Sequence, residues 1–553
     1  MDVSQALKNG KNREAWDWSC GFIDLKMDEC MRIQRRLLAE QIQLLKKCEL
    51  GKFILNGTNP RTMEEFRACV PLTNYDDYAP YLLNKRENAL PAKPAVWQYT
   101  SGKSAEYPYR WVPVTAEQIK DIEPLLFALA FFSGCKKKYD IPYKPHDKVL
   151  YGMAPPPYAT GTMARIFPSE MFDFLPSVEQ AEKMSFEDRI QAGFERAMSD
   201  GLDLGFAMSS VAAAIGSRFE QKSKSSGIAT WLKRPRSLPR LARGVFRSRM
   251  ARRSMLPKDL WDLKGLITFG MDSSIYKEKI KHMWGIEPLE FHGCTEAPLI
   301  AMQTWDRRGL TIIPHLNFVE FIPEDEVLKS QNNPSYQPST KLLNEVTPGN
   351  YEMVITSFKG GPFVRYRLGH MVEVTSLRNE ALDIDIPQMV FLGRVDDQID
   401  IAGFTRLSER VIWQAIENSG LDYEDWTVRK ELNGEPSLRI FIELKQDTIN
   451  DKAAAALLHE ELKKLDEPYA ELESFTGLKP LRVTLLPENS FKNYREIQQR
   501  AGADLMHLKP PHVNPSENVV RLLQSIPVRP VRPEVPVTEQ FTASSGTAPR
   551  RGK

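Results

Sequence analysis

Cysteine is scarce in this chain and never clustered. Cys20, Cys30, Cys48, Cys69, Cys135 and Cys294 nowhere fall at CxxC spacing. That scatter excludes an obvious zinc site or disulfide framework and fits thiols kept reduced in a cytoplasmic setting. An excess of one charge is missing too. Lys and Arg number 74 against 72 acids, a formal net charge of +2, so no global basic field argues for nucleic acid. The first residues, Met1-Asp2-Val3-Ser4, show no basic-then-apolar leader pattern. The longest apolar run, 124–132, is too short for a bilayer; it predicts a buried core helix and no integral membrane segment. No internal repeat is present. The expected location is cytoplasmic.

What is present is a globular composition, long enough at 553 residues to bury a large core without disulfides or structural metal. Residues 14–47 read as one long helix whose apolar face includes Leu37, Leu38, Ile42, Leu44 and Leu45. From 111 to 305, helical stretches alternate with short apolar runs such as 265–270, which predicts an α/β sheet with crossover helices. Beyond Pro348-Gly349 two β segments, 351–356 and 363–367, flank the turn Lys359-Gly360-Gly361-Pro362. After a boundary near Phe391-Leu392-Gly393-Arg394 the pattern becomes helix 409–417, strand 438–444, helix 453–464 and strand 481–485. The expected division is therefore 1–392, a small α+β domain at 393–515, and a mostly disordered Pro-rich tail over 516–553.

One segment stands apart. Between Leu232 and Arg253 lie Lys233, Arg234, Arg236, Arg240, Arg243, Arg247, Arg249, Arg252 and Arg253, with no acid. It reads either as a patch for phosphates or an anionic membrane surface, or as a solvated insertion. Pro235 and Pro239 are expected to interrupt any continuous amphipathic face, which favours the insertion.

Four short segments carry chemistry-bearing residues. In Thr100-Ser101-Gly102-Lys103-Ser104-Ala105, small hydroxyl residues around a glycine let N–H and O–H groups face one anion; a plain surface turn has the same composition. His292-Gly293-Cys294-Thr295-Glu296 places a hydroxyl beside a carboxylate at a strand end. That pair suits Mg²⁺ shared with phosphate, or equally a helix capped by Thr295. In Arg365-Tyr366-Arg367-Leu368-Gly369-His370, two arginines two apart on a strand share one face, for anions or for pairing with acids. Residues 393–404 combine glycines with charge at the boundary, as a hinge or a charged turn.

The order of these segments resembles the adenylate-forming superfamily of acyl-CoA synthetases, luciferases and peptide-synthetase adenylation domains. Within it the chain is most similar to the auxin-responsive (Gretchen Hagen) acyl-acid amido synthetases. Residues 70–78, 351–369 and the run Phe491-Lys492-Asn493-Tyr494, Arg500-Ala501-Gly502-Ala503, Leu508-Lys509-Pro510-Pro511-His512 carry that likeness, which spans 70–514. The resemblance implies a large N-terminal α/β domain with a small β-barrel-like region and a smaller, mobile α+β C-terminal domain. It implies ATP and Mg²⁺ as cofactors, a carboxylic acid as substrate, and an amino acid, or CoA, as acceptor. By position, Thr100, Ser101, Gly102 and Ser104 would touch the ATP phosphates. Thr295 and Glu296 would hold phosphate and Mg²⁺, His292 would stack on adenine, and Arg394 would reach the nucleotide. Asp396 would be the hinge, and Lys509, or alternatively Lys492, the catalytic lysine near the acyl phosphate.

The chain departs from that pattern in three places. His370 stands where the family holds the ribose with Asp. Lys103 and Ala105 replace Thr and Gly, and His292 replaces the usual aromatic. A neutral imidazole cannot accept from two ribose hydroxyls as a carboxylate can, which costs about 1.5–3 kcal/mol of binding. The implied functions are thus an acyl-acid amido synthetase, an acyl-CoA or aryl-CoA ligase, or a catalytically weakened nucleotide- or acyl-binding protein. The acid-binding wall is expected within 125–174, at 151–158 in particular, and near Phe318 to Phe321.

Overall fold

The computed structural model describes residues 3–100, 110–224, 235–270, 273–333, 335–395, 398–401, 405–433, 435–446, 449–470, 481–500 and 511–525. Its centre is a sheet of twelve strands. Five of them are parallel: Phe172–Leu175, Asp147–Gly152, Leu204–Met208, Gly265–Phe269 and Leu289–His292, in that spatial order. Their crossovers are helical, among them Phe186–Asp200 and Ser273–Trp284. The remaining seven strands are antiparallel and run from Ala301–Gln303 through Gln388–Arg394 and Tyr366–Ser376 to the edge at Lys341–Leu342. Among the described residues the small β-barrel-like region that the resemblance implies is not a separate closed sheet: these antiparallel strands continue the parallel ones and end at that edge. The apolar run predicted as a core helix is Ala116–Gly134, capped by Thr115 and Gln118, and every residue from Leu125 to Ser133 is buried. Among the described residues no helix is long and apolar enough to cross a membrane.

The expected single helix over 14–47 is two, Asn12–Cys20 and Met27–Leu45, separated by a 3-10 turn at Gly21–Asp24. The second helix starts afresh because the Glu29 carboxylate accepts from the Lys26 N–H at 3.0 Å, a cap that outweighs continuing the first. The break lets Trp16 pack against Phe131, Phe132 and Trp305. The second helix also buries two glutamines. Gln41 accepts from the Gly360 N–H and donates to the Gly361 carbonyl, both at 2.9 Å, and Gln34 accepts from the Val319 N–H at 3.1 Å. Both amides thus pair backbone groups that burial would leave unsatisfied.

Described residues between Ile399 and Val513 form a second apolar core around Trp426, Ile440, Ile442 and Leu458. It is built by the helices Glu409–Asn418 and Asp451–Leu465 on a three-stranded sheet of Tyr423–Asn433, Glu435–Leu444 and Leu481–Leu485. The first strand of that sheet was not among the expected elements. Trp413, on the helix Glu409–Asn418, meets Tyr276 of the larger unit edge-on, 5.6 Å between ring centroids. The tail expected from 516 begins with an ordered helix, Glu517–Gln524. Val520 and Leu523 of this helix are buried against Phe441, Leu486, Phe491 and Tyr494, enough apolar surface to order it.

Two further expectations fail. Arg365 and Arg367 do not share a strand face. Arg365 precedes the strand at φ +45° and is buried, with its Nε and Nη2 on the Glu320 carboxylate at 3.1 and 2.9 Å. Arg367 lies on the strand and pairs with Glu352 at 3.0 Å. Both are structural partners of buried acids and not anion-binding groups. Pro235 and Pro239 do not interrupt a helix either: they precede and open the helix Leu238–Met250, where a missing N–H costs nothing.

Candidate active site

The parallel strand Leu289–His292 ends in a loop that only glycine allows. A Cβ on Gly293 would meet the Pro298 carbonyl oxygen at 2.2 Å. The loop is pinned by Cys294 N–H on the Ala297 carbonyl and Ile300 N–H on the His292 carbonyl, both at 2.9 Å. No helix follows, so Thr295 caps none and lies half-buried in a bend beside Glu296. The Tyr366 hydroxyl donates to Glu296 Oε1 at 3.2 Å. Burial first, and the Glu296 charge second, push the Tyr366 hydroxyl well above its usual range, so it stays a donor. Cys294 is likewise raised well above a normal thiol, chiefly by burial, and is held as an inert thiol.

Opposite this loop stands the hairpin of Tyr366–Ser376 and Gln388–Arg394, in which His370 pairs with Arg394 across the strands. Gly369, at φ +66°, turns the chain just before His370 in a conformation that L side chains rarely adopt. The register slips between Met371 and Val372, leaving Leu392 as the extra residue of a bulge. Next to it, the Phe391 ring stacks on His292 at 4.8 Å and meets His370 edge-on at 5.5 Å. His370 Nδ1 and His292 Nε2 are 3.2 Å apart, one donating to the other. Burial depresses His292 to about 4. Burial, then His292 and Arg394, drop His370 well below its ordinary value. Both imidazoles are therefore neutral at pH 7. Because one nitrogen of His370 is spent on His292, a single nitrogen is left for a ligand.

Of the residues singled out in the sequence, His292, Thr295, Glu296, His370 and Arg394 come together here. Thr100 ends the strand Pro94–Thr100, paired with Arg110. Ser101, Gly102, Lys103, Ser104, Ala105, Asp396 and Lys509 lie outside the described residues. Lys492 is exposed on the helix Ser490–Arg500. Three groups were missed as parts of the site: Tyr366, Phe391 and Arg110. Arg110 lies over the Tyr75 ring at 5.1 Å, and its charge reaches Tyr366. Only Tyr366 had a signal, its place in Tyr-Arg-x-Gly. In the stretch expected to form the acid wall, 151–158, the Pro157 carbonyl accepts from the Tyr99 N–H at 3.1 Å and the Tyr158 ring meets Tyr99 at 4.7 Å. Phe318 and Phe321, also expected there, are fully buried in the main core.

Among the described residues no three His, Cys, Asp or Glu side chains gather as a metal cage. One half-buried carboxylate beside a hydroxyl, Glu296 and Thr295, does fit Mg²⁺, which takes one or two carboxylates and completes its shell with phosphate and water.

The fold is that of the adenylate-forming ligases. An AtGH3.15 acyl acid amido synthetase solved with 2,4-DB superposes with a TM-score of 0.62 at 16% identity, over 91% of this chain and 94% of that one. A 2-hydroxyisobutyryl-CoA ligase in its postadenylation state gives 0.55 at 13% identity, over 89% of this chain and 90% of that one. No curated protein matches by sequence. The profiles of the GH3 family's N-terminal, central and C-terminal domains match residues 20–156, 310–394 and 408–518. The chain belongs to the GH3 family.

Proposed function

We propose that the protein uses ATP to convert a carboxylic acid into an acyl-adenylate and passes the acyl group to the amine of an amino acid. The observation that carries this reading is the convergence of Glu296, Tyr366, His292, His370 and Arg394 at the end of the parallel strand Leu289–His292, in a chain matched by all three family domains. An acid oxygen attacks the α-phosphorus and pyrophosphate leaves; the amine nitrogen then attacks the acyl carbon, AMP leaves and the nitrogen loses a proton. No protein nucleophile is required, in keeping with Cys294, half-buried and raised well above a normal thiol. The protein aligns two anions and neutralises accumulating charge. Thr295 and Glu296 would hold Mg²⁺, which supplies charge neutralisation at the phosphates. Thr100, Ser101, Gly102 and Ser104 would line the phosphates, with Arg110 nearby. Phe391, stacked on the buried His292, would offer its outer face to adenine, and His370 and Arg394 would meet the ribose side. Asp396 is assigned as hinge, and Lys509, with Lys492 as alternative, as the lysine meeting the acyl phosphate.

The separate apolar core of 399–513 supports a division at 392/393. Six free cysteines support a cytoplasmic site of action. The His292–His370 hydrogen bond favours a second reading, a nucleotide- or acyl-binding protein with weakened catalysis. ATP–pyrophosphate exchange across an acid panel, then mass spectrometry with amino acids and CoA, separates them. An amide product is expected. A thioester would make the chain a CoA ligase, and ATP binding without exchange would establish the second reading.

A further inference from the structure

The arginine-rich segment plays no part in that site, yet it is a well-formed helix, Leu238–Met250. Its inner edge is Leu241, Gly244 and Ser248. A Cβ on Gly244 would meet Leu260 and Met255 at 2.6 Å, so the helix lies flat on the core beneath. The arginines on one flank are tied to the protein. Arg240 donates to the carbonyls of Met198 and Ser199 at 2.7 and 3.0 Å, and Arg243 and Arg247 share Asp262 at 2.6 and 2.9 Å.

The outer face is different. Leu238, Ala242, Phe246 and Met250 recur every four residues and form one ridge. Leu238 is 40% exposed, Phe246 64% and Met250 71%. Arg249 sits on this ridge and Arg236 and Arg252 at its ends, all exposed and none with an acid partner among the described residues. No Asp or Glu occurs between Glu220 and Asp259, while Lys and Arg recur throughout. The helix is thus apolar outward as well as inward, with cations among the outward apolar groups.

That combination narrows the partner. Nucleic acid would satisfy the arginines and leave Leu238, Phe246 and Met250 in water. A second copy, packed about a two-fold axis, would bring two identical cationic ridges together with no acid on either to pair them. A bilayer with anionic headgroups accepts both components: apolar side chains enter the headgroup–acyl boundary while guanidiniums stay at the phosphates. We propose that the helix Leu238–Met250 docks the protein on an anionic lipid surface, independently of the chemistry at Glu296.

The test is sedimentation of the full chain with vesicles of phosphatidylcholine alone or with added phosphatidylserine. Two double variants are compared, Phe246→Ser with Met250→Ser, and Arg249→Glu with Arg252→Glu. All four residues are exposed, and thermal melting checks that the fold is kept. The wild type should pellet with the phosphatidylserine vesicles only, less so as salt rises. Each double variant should lower the partition coefficient about tenfold or more. Equal binding to both vesicle types, no binding, or folded double variants that bind like the wild type would overturn the proposal. Capture by an acidic protein without vesicle binding would do the same.

Discussion

Replacing His512 by glutamine would strip the smaller domain of a buried cation. His512 is 5% exposed, with Nδ1 at 2.7 Å from Glu409 and Nε2 at 2.9 Å from Asp425. Burial opposes its charge, but the two carboxylates outweigh it and lift the imidazole from 6.5 to about 9. That rise is worth about 3 kcal/mol in favour of the folded, protonated state. Because the folded value is the higher one, the contribution is complete below pH 6.5 and disappears as pH climbs through about 9. His512→Gln carries no such charge at any pH, so below about pH 9 it leaves two carboxylates against a neutral amide where the wild type has a cation, a break that costs about 3–5 kcal/mol when buried. Urea unfolding read by tryptophan fluorescence suits the site, since the imidazole stacks on Trp426 at 4.4 Å and meets Trp413 edge-on at 4.9 Å. The variant should be much less stable than the wild type near pH 6 and approach it near pH 10. A gap of the same size at both pH values would refute the charge as its source. Function should follow. Pro511 to Asn514 are held on the strand Tyr423–Asn433 by Val428 N–H on the His512 carbonyl at 2.6 Å and Asn514 N–H on Val428 at 2.8 Å. On the role proposed for Lys509, three residues upstream of His512, kcat should fall more than KM rises.

The other expectations concern the larger unit. Glu296→Gln should reduce pyrophosphate exchange about 10²- to 10³-fold with little change in melting temperature, because it removes the carboxylate proposed to hold Mg²⁺ and keeps an oxygen for the Tyr366 contact. His370→Asp should tighten ATP about tenfold or more by calorimetry, as a carboxylate accepts from both ribose hydroxyls; an unchanged Kd would mean that the His292–His370 pair is itself the nucleotide contact. ATP affinity should show no His292 step between pH 6 and 8 and fall only as pH nears about 4, because His292, depressed to about 4, becomes charged there and must leave its buried stack on Phe391. Arg365→Ala should cost about 3–5 kcal/mol in chemical denaturation, since it removes the two-pronged partner of the fully buried Glu320 and leaves it only Thr340 at 2.7 Å and Arg67 at 3.9 Å.

The large architecture was legible because it rests on period and order. The apolar run in Ala116–Gly134 and the strand Gly265–Phe269 announce themselves locally, and the order of weak motifs identified the family. What sequence could not show was contact across long separations. Gln34 and Gln41 look like ordinary polar helix residues until the backbone of 317–319 and 360–361 is laid against them. Arg365 and Arg367 look alike two residues apart, and differ because a left-handed residue ahead of the strand turns one toward Glu320. The same holds at the site. His292 and His370 each read as a lost family residue when taken singly. The bulge at Leu392 places Phe391 beside both, so the two substitutions form one apolar, neutral cluster. Two departures that accommodate each other are better explained as a rebuilt nucleotide wall than as independent decay, and a His292→Tyr, His370→Asp double variant separates the cases. A rebuilt wall should show ATP affinities that are not additive over the two single changes; additive effects would point to decay.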